Sequence, residues 1–267
     1  MSTSAKAQIL PRAAALPTDL RRPTRILIAS LMPVGPAAVA ILRFILPYSD
    51  TDSNSTAVAK IATHAGTERA VLWLSVVAML TLVPGAMAAI KLASRRAPRL
   101  AAAAGLLLIP GYLALPAVML TDNIGIAATA HAVGPATVAR IVSLATSQPT
   151  TSLLSVVFVA GHLLGTVILS LALWQSKTIP ALAAAGLGAS QLLHLAAALS
   201  GNHPLDLIGW GLTSAGLACA AVTILRLSDD EWEPRALPAL IPPQMHEAEA
   251  RQWARGPQLS RVGHDRR

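Results

Sequence analysis

Only seven histidines occur in the chain, and two of them, His162 and His194, fall inside long apolar runs. An ionisable group at membrane depth is costly and tends to be kept for function. His162 stands beside Gly161-x-x-x-Gly165, a small-residue pattern that lets a second helix approach closely. At about 1.5 Å of rise per residue it lies ~15 Å from the outer end of its predicted helix, so its ring is expected to face a protein neighbour and not lipid. Ser190, Gln191 and His194 share one face of the next apolar run through i, i+3 and i, i+4 spacing. His203 and Asp206, three residues apart at the start of the last run, are placed to pair. Arg43, Glu68, Arg69 and Asp122 add charge near the same boundary, Arg43 with a stem long enough to snorkel to the headgroups.

His162, Gln191, His194, His203 and Asp206 therefore outline a polar pocket opening outward among the later helices. The plainer account of the same residues is hydrogen bonding between helices. A haem held between His162 and His194 is conceivable from their similar depth, although the chain is poor in the aromatics that line such pockets. His64, His131 and His203 with Asp122 or Asp206 lack any metal-ligand spacing. The sequence contains no G-x-S-x-G, no H-E-x-x-H, no phosphate-binding glycine loop and no paired carboxylates within an apolar run. The single cysteine, Cys219, sits in an apolar run and reads as a small core residue. Asn54-Ser55-Thr56 has the form of a glycosylation acceptor, which matters only in a eukaryotic host.

These residues must be positioned by helices in a membrane. Of the 267 residues 54% are hydrophobic and only 13% charged, about half the charge of an ordinary soluble domain. Mean hydropathy is +0.56. The charges are bunched between apolar runs, and six runs are long enough to cross ~30 Å of hydrocarbon: residues 26–47, 71–93, 100–121, 152–175, 180–200 and 204–227. The expected fold is an all-α, polytopic transmembrane helix bundle of six spans. Short links at 94–99 and 176–179 make neighbouring helices antiparallel. With the N-terminus inside, all but Arg43, Lys60, Arg69 and Arg140 of the 21 lysines and arginines fall on the inner side, as the positive-inside rule requires. Both termini are thus expected inside. Trp73 and Trp210 mark the outer interface and Trp174 the inner one.

The net charge of +8 does not point to nucleic acid, because no basic stripe is interleaved with aromatics. The expected partners are the lipid bilayer and other membrane subunits. The high alanine and arginine content is that of bacteria with GC-rich genomes, which suggests a bacterial plasma membrane. Residues 1–25 form a cytoplasmic leader, and an uncleaved first helix is favoured over a signal peptide ending near Pro36-Ala37-Ala38-Val39-Ala40. Residues 228–267 form a polar, proline-containing tail without a core, with a short helix expected around 246–255.

A self-match at an offset of 80 joins Ala57-Val58-Ala59-Lys60-Ile61-Ala62-Thr63 to Thr137-Val138-Ala139-Arg140-Ile141-Val142-Ser143. Without a gap, Leu74-Ser75-Val76-Val77 then falls on Leu154-Ser155-Val156-Val157. The implied unit is a helix going out, a short amphipathic helix outside, and a helix returning, repeated in parallel. Val58, Ile61, Ala62 and Ala65, and likewise Val138, Ile141, Val142 and Ala145, form the apolar faces of the outer helices. Without a catalytic or cofactor motif, the expected function is non-enzymatic binding or transport of a small solute or lipid, with no cofactor. The competing expectations are a membrane-embedded redox (haem) or hydrolytic enzyme, and a structural subunit of a membrane complex.

Overall fold

A computed structural model describes residues 19–234; the segment at 246–255 and most of the N-terminal leader lie outside the described residues. Within 19–234 every regular element is a helix: α1 (Arg21–Leu31), α2 (Val34–Ile45), α3 (Asn54–Thr63), α4 (Ala65–Ser94), α5 (Pro98–Leu113), α6 (Leu115–Val118), α7 (Leu120–Ala130), α8 (Pro135–Thr146), α9 (Pro149–Gln175), α10 (Ala181–Ser200), α11 (His203–Arg226) and α12 (Asp229–Trp232). Five stretches are long and apolar enough to cross a membrane: Arg21–Ile45, Ala65–Ser94, Pro149–Gln175, Ala181–Ser200 and His203–Arg226. This is the architecture of a multi-pass membrane protein. Leu80, Leu106, Leu182, Leu192 and Leu199 stand fully outward on it, an arrangement that water would penalise and hydrocarbon does not.

Capping residues start the helices where the chain turns. Ser53 accepts from the Thr56 amide at the head of α3 and Asn202 from the Leu205 amide at the head of α11, satisfying amides that a helix start leaves free. Prolines open α5, α8 and α9, where the missing N–H removes nothing. The third apolar run departs from expectation. The continuous helix read at 100–121 is broken into α5, α6 and α7, with breaks at Ala114 and Met119. Pro110 and Pro116 lie in that stretch, and neither can donate to the carbonyl one turn earlier. At 16 residues, α5 alone spans only ~24 Å. The first run also bends, at Met32-Pro33 between α1 and α2, and the Ser214 hydroxyl donates to the Pro33 carbonyl there at 2.9 Å.

The long helices close into a ring in chain order: α2 packs on α4, α4 on α5, α5 on α9, α9 on α10, α10 on α11, and α11 back on α2. At the end where α4 and α9 begin, α3, α7 and α8 pack on one another. Val58, Val138 and Val142 meet there, with Ile124 and Ala128 beside them. Ile61 is also buried, but Ile141, expected on the same apolar face, stands exposed. At the opposite end Arg25 reaches the carbonyls of Ile224, Leu225 and Leu227 and pairs with Asp229 at 3.0 Å. It thereby neutralises the negative end of α11. Lys91 sits over the Trp232 ring, 4.2 Å from its centroid, at this end.

The tightest helix contact is α5 against α9. A β-carbon on Gly161 would stand 2.6 Å from the Leu107 carbonyl oxygen and 2.8 Å from the Gly111 α-carbon. Gly211, on α11, has nothing within 4 Å of the same position. Gly161→Ala should therefore force the two backbones apart and lower stability by about 2 kcal/mol, while Gly211→Ala leaves it unchanged or slightly raised. Thermal unfolding of both variants in one mild detergent checks this. Equal midpoints would contradict the close contact.

Candidate functional site

Asp206 is the centre of the buried polar residues. It lies in the first turn of α11, only 2% exposed, and receives Arg43 of α2 and His194 of α10. Arg43 Nε donates to Asp206 Oδ2 at 2.5 Å, and His194 Nδ1 lies 2.5 Å from Asp206 Oδ1. The other side of the Arg43 guanidinium is taken by Asp50, in the loop after α2. Arg43 therefore does not snorkel outward as expected. A carboxylate at the start of α11 offers it a charge-assisted hydrogen bond inside the protein.

Gly209 makes this meeting possible. A β-carbon there would lie 3.0 Å from the His194 backbone nitrogen, so α10 and α11 approach closely enough for side chains one turn away to touch. Trp210 uses the same proximity. It was expected at the membrane interface but is 2% exposed. Its indole Nε1 lies 3.1 Å from His194 Nδ1. One ring nitrogen cannot donate to Asp206 and accept from Trp210 at once. With Arg43 on the carboxylate, the arrangement in which Nδ1–H donates to Asp206 is the charge-assisted one. That leaves the indole N–H available as a donor.

His162 of α9 completes the aromatic group. Its ring stacks 5.6 Å from Trp210 and lies 5.3 Å from that of His194. Nδ1 donates to the Phe158 carbonyl of its own helix at 2.7 Å, which fixes Nε2 as the bare nitrogen. That nitrogen is buried and has no partner. The ring is only 1% exposed, so no bulk water compensates it.

These residues adjoin a cavity of about 420 Å³ between α2, α6, α9, α10 and α11, within the ~300–1,000 Å³ of small-molecule sites. Its walls are mostly apolar, among them Leu42, Leu46, Phe158 and Leu195. Its polar margin is formed by Arg43, Asp50, Tyr48 and His194.

Of the residues singled out from sequence, His162, His194 and Asp206 come together. Gln191 does not reach the cavity. Its amide nitrogen donates to Ser190 and Thr213, at 2.8 and 3.1 Å, in a separate contact between α10 and α11. His203 does not pair with Asp206. Its Nδ1 donates to the Arg43 backbone carbonyl at 2.7 Å, tying the α10–α11 turn to the end of α2. Sequence reading missed the roles of Arg43, Tyr48 and Trp210. The usable signal for Arg43 was a cation in the last turn of an apolar helix, with carboxylates in the following loop and at a later helix start.

The ring centroids of His162 and His194 lie 5.3 Å apart, with Nδ1 of the first on the Phe158 carbonyl and Nδ1 of the second on Asp206. Among the described residues no three His, Cys, Asp or Glu side chains gather in an arrangement able to hold a metal ion. Beside α3, Lys60 holds the Asp52 carboxyl below the usual carboxylate range, with Nζ 2.7 Å away. Comparison with protein-family models, curated proteins and solved structures gave no match.

Removing the shared acceptor should be costly. Asp206→Ala leaves a mostly buried guanidinium and an imidazole without their carboxylate and is expected to destabilise by about 3 kcal/mol. Asp50→Ala, at a carboxylate whose side chain is 41% exposed, should cause a loss below about 1 kcal/mol. Equilibrium unfolding in mixed micelles measures both. Similar losses would show that Asp206 does not hold the network.

Proposed function

We propose that this chain is a membrane protein that binds or moves a small amphiphilic molecule, received with its apolar body in the cavity and its polar head at the ring group. The observation that carries this reading is His162, which lines the mostly apolar cavity and whose buried Nε2 is an acceptor without a partner. A buried lone pair without a donor lowers stability, and a small turn of the His162 ring toward the cavity would let a ligand hydroxyl or amine satisfy it. The cavity favours apolar matter, and the Arg43–Asp206–His194 group at its margin favours a polar head. Solutes and lipids with a hydrogen-donating head have this chemistry.

The wider topology that fits this reading has six crossings, α5 and α6 together making the third, with both termini on the cytoplasmic side. In support, Arg21, Arg22, Arg25, Lys91, Arg95, Arg96, Arg99, Lys177 and Arg226 all belong to the end of the ring opposite α3 and α8. A parallel duplication is supported by the recurrence of a short helix followed by a long one, α3–α4 and α8–α9. The bilayer of a bacterial plasma membrane is its proposed setting, and the amphiphile would enter from the outer side.

Tritiated 1-decanol is a suitable probe, with the protein in phosphatidylcholine nanodiscs and empty discs as background. Saturable decanol binding is expected, and His162→Leu should weaken it about tenfold, the equivalent of one hydrogen bond of ~1.4 kcal/mol. Binding of decane, which has no hydroxyl, should be unaffected by the same substitution. Unchanged decanol affinity in His162→Leu would sink the proposal.

A further inference from the structure

A second group of buried polar atoms lies apart from the cavity's histidines. Glu68, in the first turn of α4, and Asp122, in the first turn of α7, are both completely buried. The Tyr48 phenol donates to Asp122 Oδ1. Asp122 Oδ2 and both oxygens of Glu68 receive no hydrogen from any other residue, and α4 packs on α7 so that each carboxyl lies in the other's field.

An ionised carboxylate can only accept. Two of them in contact, without water or a cation between them, repel strongly. A hydrogen bond joins them only when one carries a proton. The groups facing the pair supply no alternative. Tyr48 comes from the loop after α2, and the cation nearest in influence, Arg43, has its guanidinium engaged by Asp206 and Asp50. From α3, Ile61 packs against Gly125 of α7 and contributes only apolar surface.

We propose that Glu68 and Asp122 form a proton-binding site in which one proton is shared between two carboxyls, with Tyr48 as the positioning residue that favours its release. The completely buried Glu68, with both oxygens served by no donor, is the feature that calls for a ligand, and the proton is the ligand that needs no further space. Tyr48 donates to the ionised form of Asp122 and so opposes proton retention. Burial pushes the Asp122 carboxyl above the usual carboxylate range. The folded chain then holds its proton to higher pH than the unfolded chain. Stability conferred by the site is full below the ordinary carboxylate range and declines as pH rises from there through the raised value.

Infrared titration of the full-length protein in nanodiscs tests this directly. At neutral pH the wild type should show the carbonyl stretch of a protonated carboxyl, shifted by deuterium oxide. Glu68→Gln should lose that band, because its amide donates to Asp122 in the proton's place, and should keep the fold. Tyr48→Phe should retain the band to a pH at least one unit higher, an effect that a purely structural tyrosine would not produce. Thermal midpoints of the wild type should fall as pH rises, and those of Glu68→Gln should stay flatter. Absence of the band from the wild type at neutral pH overturns the proposal. So does its disappearance when sodium chloride replaces choline chloride, since the occupant would then be a metal cation. A Tyr48→Phe midpoint that stays or falls removes the role assigned to Tyr48.

Discussion

Where a helix bundle is surrounded by hydrocarbon, a polar side chain inside it must find its partner within the protein, because no solvent will supply one. The arrangement around Asp206 follows from this constraint. One carboxylate at the head of α11 engages Arg43 from α2 and His194 from α10, so three helices of the ring are fastened at one point. The burial that makes an isolated charge expensive makes this group hard to separate. Loss of Asp206 leaves His194 without its carboxylate and Arg43 with Asp50 alone.

The two ends of the bundle meet the constraint differently. At the end bearing α3 and α8, carboxylates from loops and helix starts, Asp50, Asp52 and Asp206, bind Arg43 and Lys60. At the other end Arg25 satisfies carbonyls at the end of α11 as well as pairing with Asp229. The first arrangement gathers side chains around a cavity. The second closes a helix end.

Small residues set the distances on which the site depends. Gly209 lets α10 and α11 touch beside His194, and Gly161 with Gly111 brings α9 onto α5 next to His162. The breaks after α5 turn the chain aside, so that α6 contributes Leu115 and Val118 to the cavity wall. The cavity is thus bounded by close contacts on two sides and by an interrupted helix on a third.

The sequence by itself determined the helical class, the apolar stretches and the presence of short helices between them, because burial in hydrocarbon and helical period are local properties of composition and spacing. It also marked His162, His194 and Asp206, since polar residues in apolar runs stand out without any knowledge of their neighbours. Only the tertiary structure decided partnership. Gln191 turned to Thr213, and His203 to a backbone carbonyl. Trp210 moved from an expected interface position into the core. Arg43 and Asp206 are separated by 163 positions, as Glu68 and Asp122 are far apart in the chain, and no spacing rule links them. Such pairs form because the ring of helices brings their ends together and removes the water that would otherwise have been each group's partner.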